Sequence, residues 1–393
     1  MKGNETRSVL PIFILTLLNA TTVGTLFTLI SMYASSYFGA NTVEVGLLSS
    51  LNALSMLLLT IPSGLLSDRF GRKAVLMLSL IVNVSSFLIL YYANGFLMLL
   101  IPMILSGIAF GTFGPTTQSL VADLAPPDAR RMLVAWYTIS ASAGMFVGPV
   151  ICSVLLQLVP MRYIFLVALG IASTALVVGI LVIKNPSRTV VGAGLVMKNL
   201  SNVLFNRNVM CSSVAIASYF FVESSVSTFF PIIALNVYGL SPSFVSNIFV
   251  LRNLVLLVSR TFAVTRMVGK FSEKKLLISS LLIPLSLALS LFFTGYVILS
   301  MLIVLTGIPL GIIFTMGAMI IADSTLPSER GLSNSVYFAA MNVGSMISPT
   351  IMGMLANMFG VSMIFPIVAF VPVVGILAGS MIKIKRPSEE TAH

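Results

Sequence analysis

Charge is what this sequence has least of. Only 8% of its 393 residues are Asp, Glu, Lys or Arg, against about 25% in a water-soluble domain, so a soluble globule is excluded. Histidine occurs once, at His393, and cysteine twice, at Cys152 and Cys211 inside apolar runs. That leaves no disulfide framework and no zinc ligand set, and neither a metal nor an organic cofactor is expected. There is one tryptophan, Trp136, and few side-chain amides fall in the apolar runs, which disfavours a sugar-binding site. No GxxxxGK[ST] run occurs, so the chain is not itself an ATPase. No nucleophile stands beside a base and no carboxylates pair for acid and base work, which argues against an enzyme.

What the sequence does have is apolar residues, 58% of the total. Spanning a bilayer takes about 20 of them in a row, and on that criterion twelve segments stand out. They run approximately 9–34, 43–66, 74–92, 96–122, 132–156, 162–183, 208–233, 243–266, 275–294, 297–322, 332–356 and 361–382. The fold class is therefore all-α integral membrane. The net charge of +11 does not point to nucleic acid, because the basic residues cluster between apolar runs without interleaved aromatics. With the amino terminus in the cytoplasm, all 22 basic residues except Arg162, Arg252 and Arg260 fall inside, as the positive-inside bias requires. Both termini are then cytoplasmic and the chain crosses the inner (plasma) membrane repeatedly. The longest connection divides the chain into residues 1–183, a cytoplasmic linker 184–207, and residues 208–393. The linker's 194–207 portion has the pattern of a short interfacial amphipathic helix, and a flexible basic tether fits equally well.

The halves repeat at an offset of 200. Gly107, Gly111, Ala122, Asp123, Arg130, Tyr137, Gly144 and Pro149 recur as Gly307, Gly311, Ala322, Asp323, Arg330, Tyr337, Gly344 and Pro349. The stretch Gly64 to Lys73 reads GLLSDRFGRK, a polar turn between two apolar runs. Its charges cannot lie in hydrocarbon, where each costs roughly 2.5 to 3.5 kcal/mol, so it must sit at a membrane surface. It matches GxLxDRxGRK at every fixed position and resembles the signature of the major facilitator superfamily of secondary transporters. That resemblance implies two pseudo-symmetric six-helix bundles with a substrate site between them near the midplane. It also implies a cytoplasmic gate made of Gly64, Asp68, Arg69, Gly71, Arg72 and Lys73, with Asp123, Arg130, Asp323 and Arg330 in similar loop positions. Turn formation and surface solvation are the plainer readings of the same residues.

Gly144, Gly148 and Pro149 form a GxxxGP run that resembles the antiporter motif of drug exporters and allows close helix approach; plain helix packing explains it too. The trailing glycine pair of that motif falls here on Cys152 and Ser153, and the fourth-helix arginine common in proton antiporters is Met103. Near the midplane the charges are Glu223 in the seventh segment and Arg252 in the eighth, placed to pair. A buried charge marks a pathway, a relay or a structural pair, and protonation of Glu223 would depend on whether Arg252 is beside it. These two are the expected proton-coupling residues. Arg260, nearer the cytoplasmic end, is expected to snorkel or gate rather than to bind substrate. Asn19, Gln118, Phe220, Met316 and Met341 are the expected cavity residues, methionine suiting a pliant apolar site. The reading is a monomeric carrier in contact with membrane lipids, exporting hydrophobic or amphipathic small molecules against protons. Its rivals are an importer or exchanger of small organic anions using Arg252, and a lipid translocase on the same scaffold.

Overall fold

The structure is a computed structural model that describes residues 3–124, 129–183, 200–267, 271–292, 295–325 and 330–383. Twelve of its helical stretches are long and apolar enough to cross a membrane. In the first half these are α1 (Gly3–Phe38), α2 (Thr42–Phe70), α3 (Arg72–Tyr92), α4 (Phe96–Leu124), α5 (Arg130–Leu155) and α6 (Met161–Val182). The second half holds α7 (Arg207–Asn236), α8 (Pro242–Phe262) and α9 (Glu273–Leu285). It continues through α10, in two pieces (Tyr296–Leu305 and Gly307–Ser324), and α11 (Arg330–Phe359) to α12, again in two pieces (Ile364–Val368 and Pro372–Ser380). Of the linker, residues 184–199 lie outside the described residues, and Leu200–Phe205 forms a short helix.

The repeat seen in the sequence is repeated in the backbone. Gly39 and Gly239 both take a left-handed conformation, with φ of 62° and 63°, which glycine adopts without steric cost. Each closes off the first helix of its half, and the next helix starts three residues later. Asn41 then caps α2, accepting from the Glu44 backbone N–H while the Glu44 side chain accepts from Asn41 N–H. Ser241 caps α8 by accepting from Phe244 N–H, with Pro242 in the first turn, where the missing N–H costs nothing. At the opposite end Lys73 Nζ donates to the Ile180 carbonyl of α6 (3.0 Å). In the second half Lys274 Nζ donates to the Ser380 and Ile382 carbonyls (2.6 and 2.7 Å). Both lysines satisfy carbonyls that a helix end leaves unpaired.

The halves meet along two seams, α2 against α11 and α5 against α8. At the end away from the termini the halves are stitched by hydrogen bonds: Thr42 Oγ1 to Gly353 O (3.3 Å), Thr228 Oγ1 of α7 to Ser49 Oγ (2.9 Å), Thr350 Oγ1 to Ser50 Oγ (2.8 Å) and Ser153 Oγ to Asn247 Oδ1 (2.5 Å). The largest apolar core also belongs to this end and draws on both halves, joining Leu29, Tyr33 and Phe165 to Phe229, Phe230 and Phe365. Toward the termini the described cores are separate. Leu15, Leu76, Phe113 and Leu120 cluster in the first half; Tyr219, Leu277, Ile313 and Met316 cluster in the second. The halves are thus fused at the far end and individually packed at the near one, with a cavity where the arrangement changes.

Candidate functional site

That cavity encloses about 260 Å³ and continues toward the termini into a lobe of about 180 Å³. Met56, Arg260, Phe314, Met341 and Asn342 line both lobes. The deeper lobe is floored by Glu223, with Phe27 and Ser31 from α1, Asn52 from α2 and Phe220 from α7 around it. The near lobe adds Gln118, Tyr137 and Phe338.

Behind the deeper lobe lies a hydrogen-bonded cluster. Glu223 forms an ion pair with Arg252, whose side chain is 3% exposed while that of Glu223 is 12% exposed. Ser227 Oγ donates to Glu223 Oε1 (3.1 Å) and Tyr219 hydroxyl lies 3.2 Å from Glu223 Oε2. Tyr219 also lies 2.8 Å from the Thr306 carbonyl, and Arg252 Nε donates to Thr306 Oγ1 (2.9 Å). Thr306 marks the turn between the two pieces of α10. Pro309, three residues on, has no N–H to continue the helical ladder. The broken helix thus turns a side chain and a carbonyl toward Arg252 and Tyr219. The cavity wall thus carries an acid backed by a cation and two hydroxyls.

The first half carries a neutral version of the same cluster at the same offset. Asn52 stands where Arg252 does, and its Nδ2 donates to Ser106 Oγ (2.7 Å) and Met103 O (3.0 Å). Ser106 Oγ in turn donates to Met103 O (3.0 Å), as Thr306 Oγ1 donates to Ile303 O (2.6 Å). The position of Glu223 is filled by Val23 in the first half. Extending the sequence repeat to these positions would have found this framework, because Asn52, Thr60, Ser106 and Ser142 align with Arg252, Arg260, Thr306 and Asn342.

The expected cavity residues divide. Phe220, Gln118 and Met341 line the cavity. Met316 does not: it is fully buried and packs among Leu277, Leu281 and Ile313. Asn19 faces α3 instead, where it accepts from Asn83 Nδ2 (3.2 Å). Arg260 does not snorkel. It is 7% exposed, and its head reaches across the seam to Ser142 Oγ (2.7 Å) on α5.

Gly144 and Gly148 lie against α1, where an added Cβ on Gly144 would meet the Leu17 carbonyl and one on Gly148 the backbone of Thr21 and Thr25. Pro149 continues the same contact, its ring facing Gly24 of α1, while its carbonyl accepts from Ser246 Oγ on α8 (3.1 Å). Of the expected gate, Gly64 lies near the end of α2. Gly71 makes the turn to α3 with φ 94° and donates its N–H to Ser67 O (3.0 Å). Arg69 is exposed with its guanidinium over the Phe70 ring, Arg72 opens α3, and Asp323 borders a surface cleft with Asn208 and Lys383. The side chains of Asp68, Asp123, Arg130 and Arg330 lie outside the described residues.

Two six-helix halves related by a repeat, closed over a central cavity at one end, define a multi-pass membrane carrier. The chain belongs to the Major Facilitator Superfamily, whose family model matches residues 12–251 and 212–393. The family is one of transporters, not enzymes. The chain is 26% identical to the uncharacterized MFS-type transporter MJ1560 of Methanocaldococcus jannaschii, over 98% of this chain and 100% of that one. It is 30% identical to the class B tetracycline resistance protein of Escherichia coli, over 42% of this chain and 41% of that one. Among solved structures it shares its fold with a bacterial homolog of the human lysosomal transporter Spinster in an inward-facing, unoccupied conformation. That likeness has a TM-score of 0.77 at 14% identity and covers 97% of this chain and 98% of the other.

Proposed function

We propose that the chain is a proton-coupled carrier that exports hydrophobic or amphipathic small molecules from the cytoplasm across the plasma membrane by alternating access. The observation that carries this reading is the position of Glu223, the one acid deeper than a helical turn within the described spans, on the wall of the central cavity and in contact with Arg252. A neutral Glu223 cannot hold the ion pair, so proton binding frees Arg252 and loosens the links that run from α7 to α8 and α10. Differential protonation of the two access states couples the proton to the cargo, since a ligand shifts a conformational equilibrium only by its preference between the states. The mostly apolar walls suit hydrophobic cargo, and the partial similarity to a tetracycline resistance protein points the same way. The organic-anion reading based on Arg252 is disfavoured, because that guanidinium is already committed to Glu223 and Thr306.

The test is made in proteoliposomes with an imposed pH gradient and a panel of lipophilic fluorescent dyes. Wild type is expected to move at least one dye with the gradient, and Glu223→Gln is expected to abolish the gradient dependence. Gradient coupling that persists unchanged in Glu223→Gln would remove Glu223 from the mechanism. Movement of lipid without solute would favour the translocase.

A further inference from the structure

Three charged residues lie more than a turn inside the described spans, Glu223, Arg252 and Arg260. Two are cations and one is an anion. The ion pair of Glu223 with Arg252 leaves the guanidinium of Arg260 with no carboxylate among the described residues, although the residue is only 7% exposed on the cavity wall. Its contacts are all neutral: Ser142 Oγ (2.7 Å), the Leu310 carbonyl (3.1 Å), the Thr138 carbonyl (3.5 Å), and the face of Phe314, 5.3 Å from the ring centre. Its Nε is buried and has no hydrogen-bond partner. A charge held in an apolar membrane interior without a counterion is costly, and such residues are kept there when they pair with something.

The repeat shows that the structural part of this contact does not need a charge. Thr60 occupies the equivalent place in the first half, and the equivalent of Ser142 is Asn342. Asn342 Nδ2 donates to Thr60 Oγ1 (3.1 Å), so two neutral side chains make the same crossing between halves. Arginine at 260 therefore adds a positive charge beyond what the seam requires, at the junction of the two lobes.

We propose that Arg260 is a specificity-determining residue that receives the acidic group of the cargo, so that the favoured cargo is a small organic carboxylate with an apolar body. The carboxylate takes up the unpaired Nε and the guanidinium edge at the junction of the lobes. The apolar body lies along Phe314, Phe220 and Met341. A planar guanidinium matches a carboxylate in two parallel hydrogen bonds, and the Phe314 ring beneath it fixes its plane. This rests on the reading that the cavity is the transport site, and it narrows the amphipathic cargo of that reading to anions.

The experiment measures binding by isothermal titration calorimetry to the purified full chain in nonionic detergent, with no gradient imposed. The probes are 2-naphthoate, the neutral 2-naphthamide and the cationic 2-naphthylmethylammonium. Wild type is expected to bind naphthoate at least about 10-fold more tightly than naphthamide and to disfavour the cation. Arg260→Thr, which copies the first half's own solution, is expected to lose that preference while keeping its thermal unfolding temperature. Arg260→Lys is expected to keep part of it. Equal affinity for naphthoate and naphthamide, retention of the preference in Arg260→Thr, or no binding of any probe to wild type each overturns the proposal. Should Arg260→Thr fail to fold, Arg260→Gln is measured in its place, and loss or retention of the preference there decides in the same way. Since the assay imposes no gradient and varies only Arg260, it can fail while proton coupling stands, and the converse holds too.

Discussion

Glu223 and Arg252 depend on each other in a way that single substitutions will exaggerate. Arg252 is 3% exposed, so removing its carboxylate strands a cation in low dielectric. Glu223→Ala is expected to destabilise the protein by about 3 to 5 kcal/mol, the usual result of breaking a buried pair from one side. Glu223→Gln combined with Arg252→Met, which removes both charges, is expected to recover most of that loss. Thermal unfolding of the purified variants in detergent checks the order. The pair was legible in the sequence, because both residues sit mid-segment and such charges are rare. The roles of Arg260 and Met316 were not. A membrane helix is apolar on every side, so the pattern gives no rotational reference. Two residues along α10 turn the side chain by about 200°, and that separates Phe314 on the cavity wall from Met316 in the core.

Among the elements, α5 is pressed closely against α1. Gly144 and Gly148 face the backbone of α1 with no space for a Cβ, whereas Gly170 on α6 has nothing within 4 Å of where its Cβ would stand. Gly148→Val is expected to cost about 1 to 3 kcal/mol through overpacking, and Gly170→Ala to leave stability unchanged, read by the same unfolding assay. The GxxxGP spacing was visible in the sequence and its partner helix was not, since close approach marks one surface without naming the other. Segment positions came through well because length and hydropathy alone set them; the seventh segment extends from the expected 208–233 to Arg207–Asn236. The break in α10 at Thr306 was missed, although Pro309 was there to signal it.

At the scale of the whole molecule, the far end is where the two halves are joined. Ser49 and Thr228 have their hydroxyls 2.9 Å apart across that join, close enough for a disulfide if both become cysteine. The natural Cys152 and Cys211 are both buried and unpaired, so background crosslinking is expected to be low. In Ser49→Cys with Thr228→Cys, oxidation is expected to arrest transport and reductant to restore it, measured as dye movement in proteoliposomes before and after each treatment. Transport that continues under full crosslinking would show that the far end need not part.

The core that joins Leu29, Tyr33 and Phe165 to Phe229, Phe230 and Phe365 has a thermodynamic consequence. To open the far end, the protein must part that core and wet some of it, and wetting apolar surface raises heat capacity. In the proposed alternating-access mechanism the balance between the two access states would therefore follow a curve in temperature, and the hydrophobic contribution holding the far end shut weakens on cooling. A carrier sealed by hydroxyl pairs alone would show little of this curvature. On the proposed alternating-access mechanism, the resting orientation would follow the temperature at which the membrane is kept.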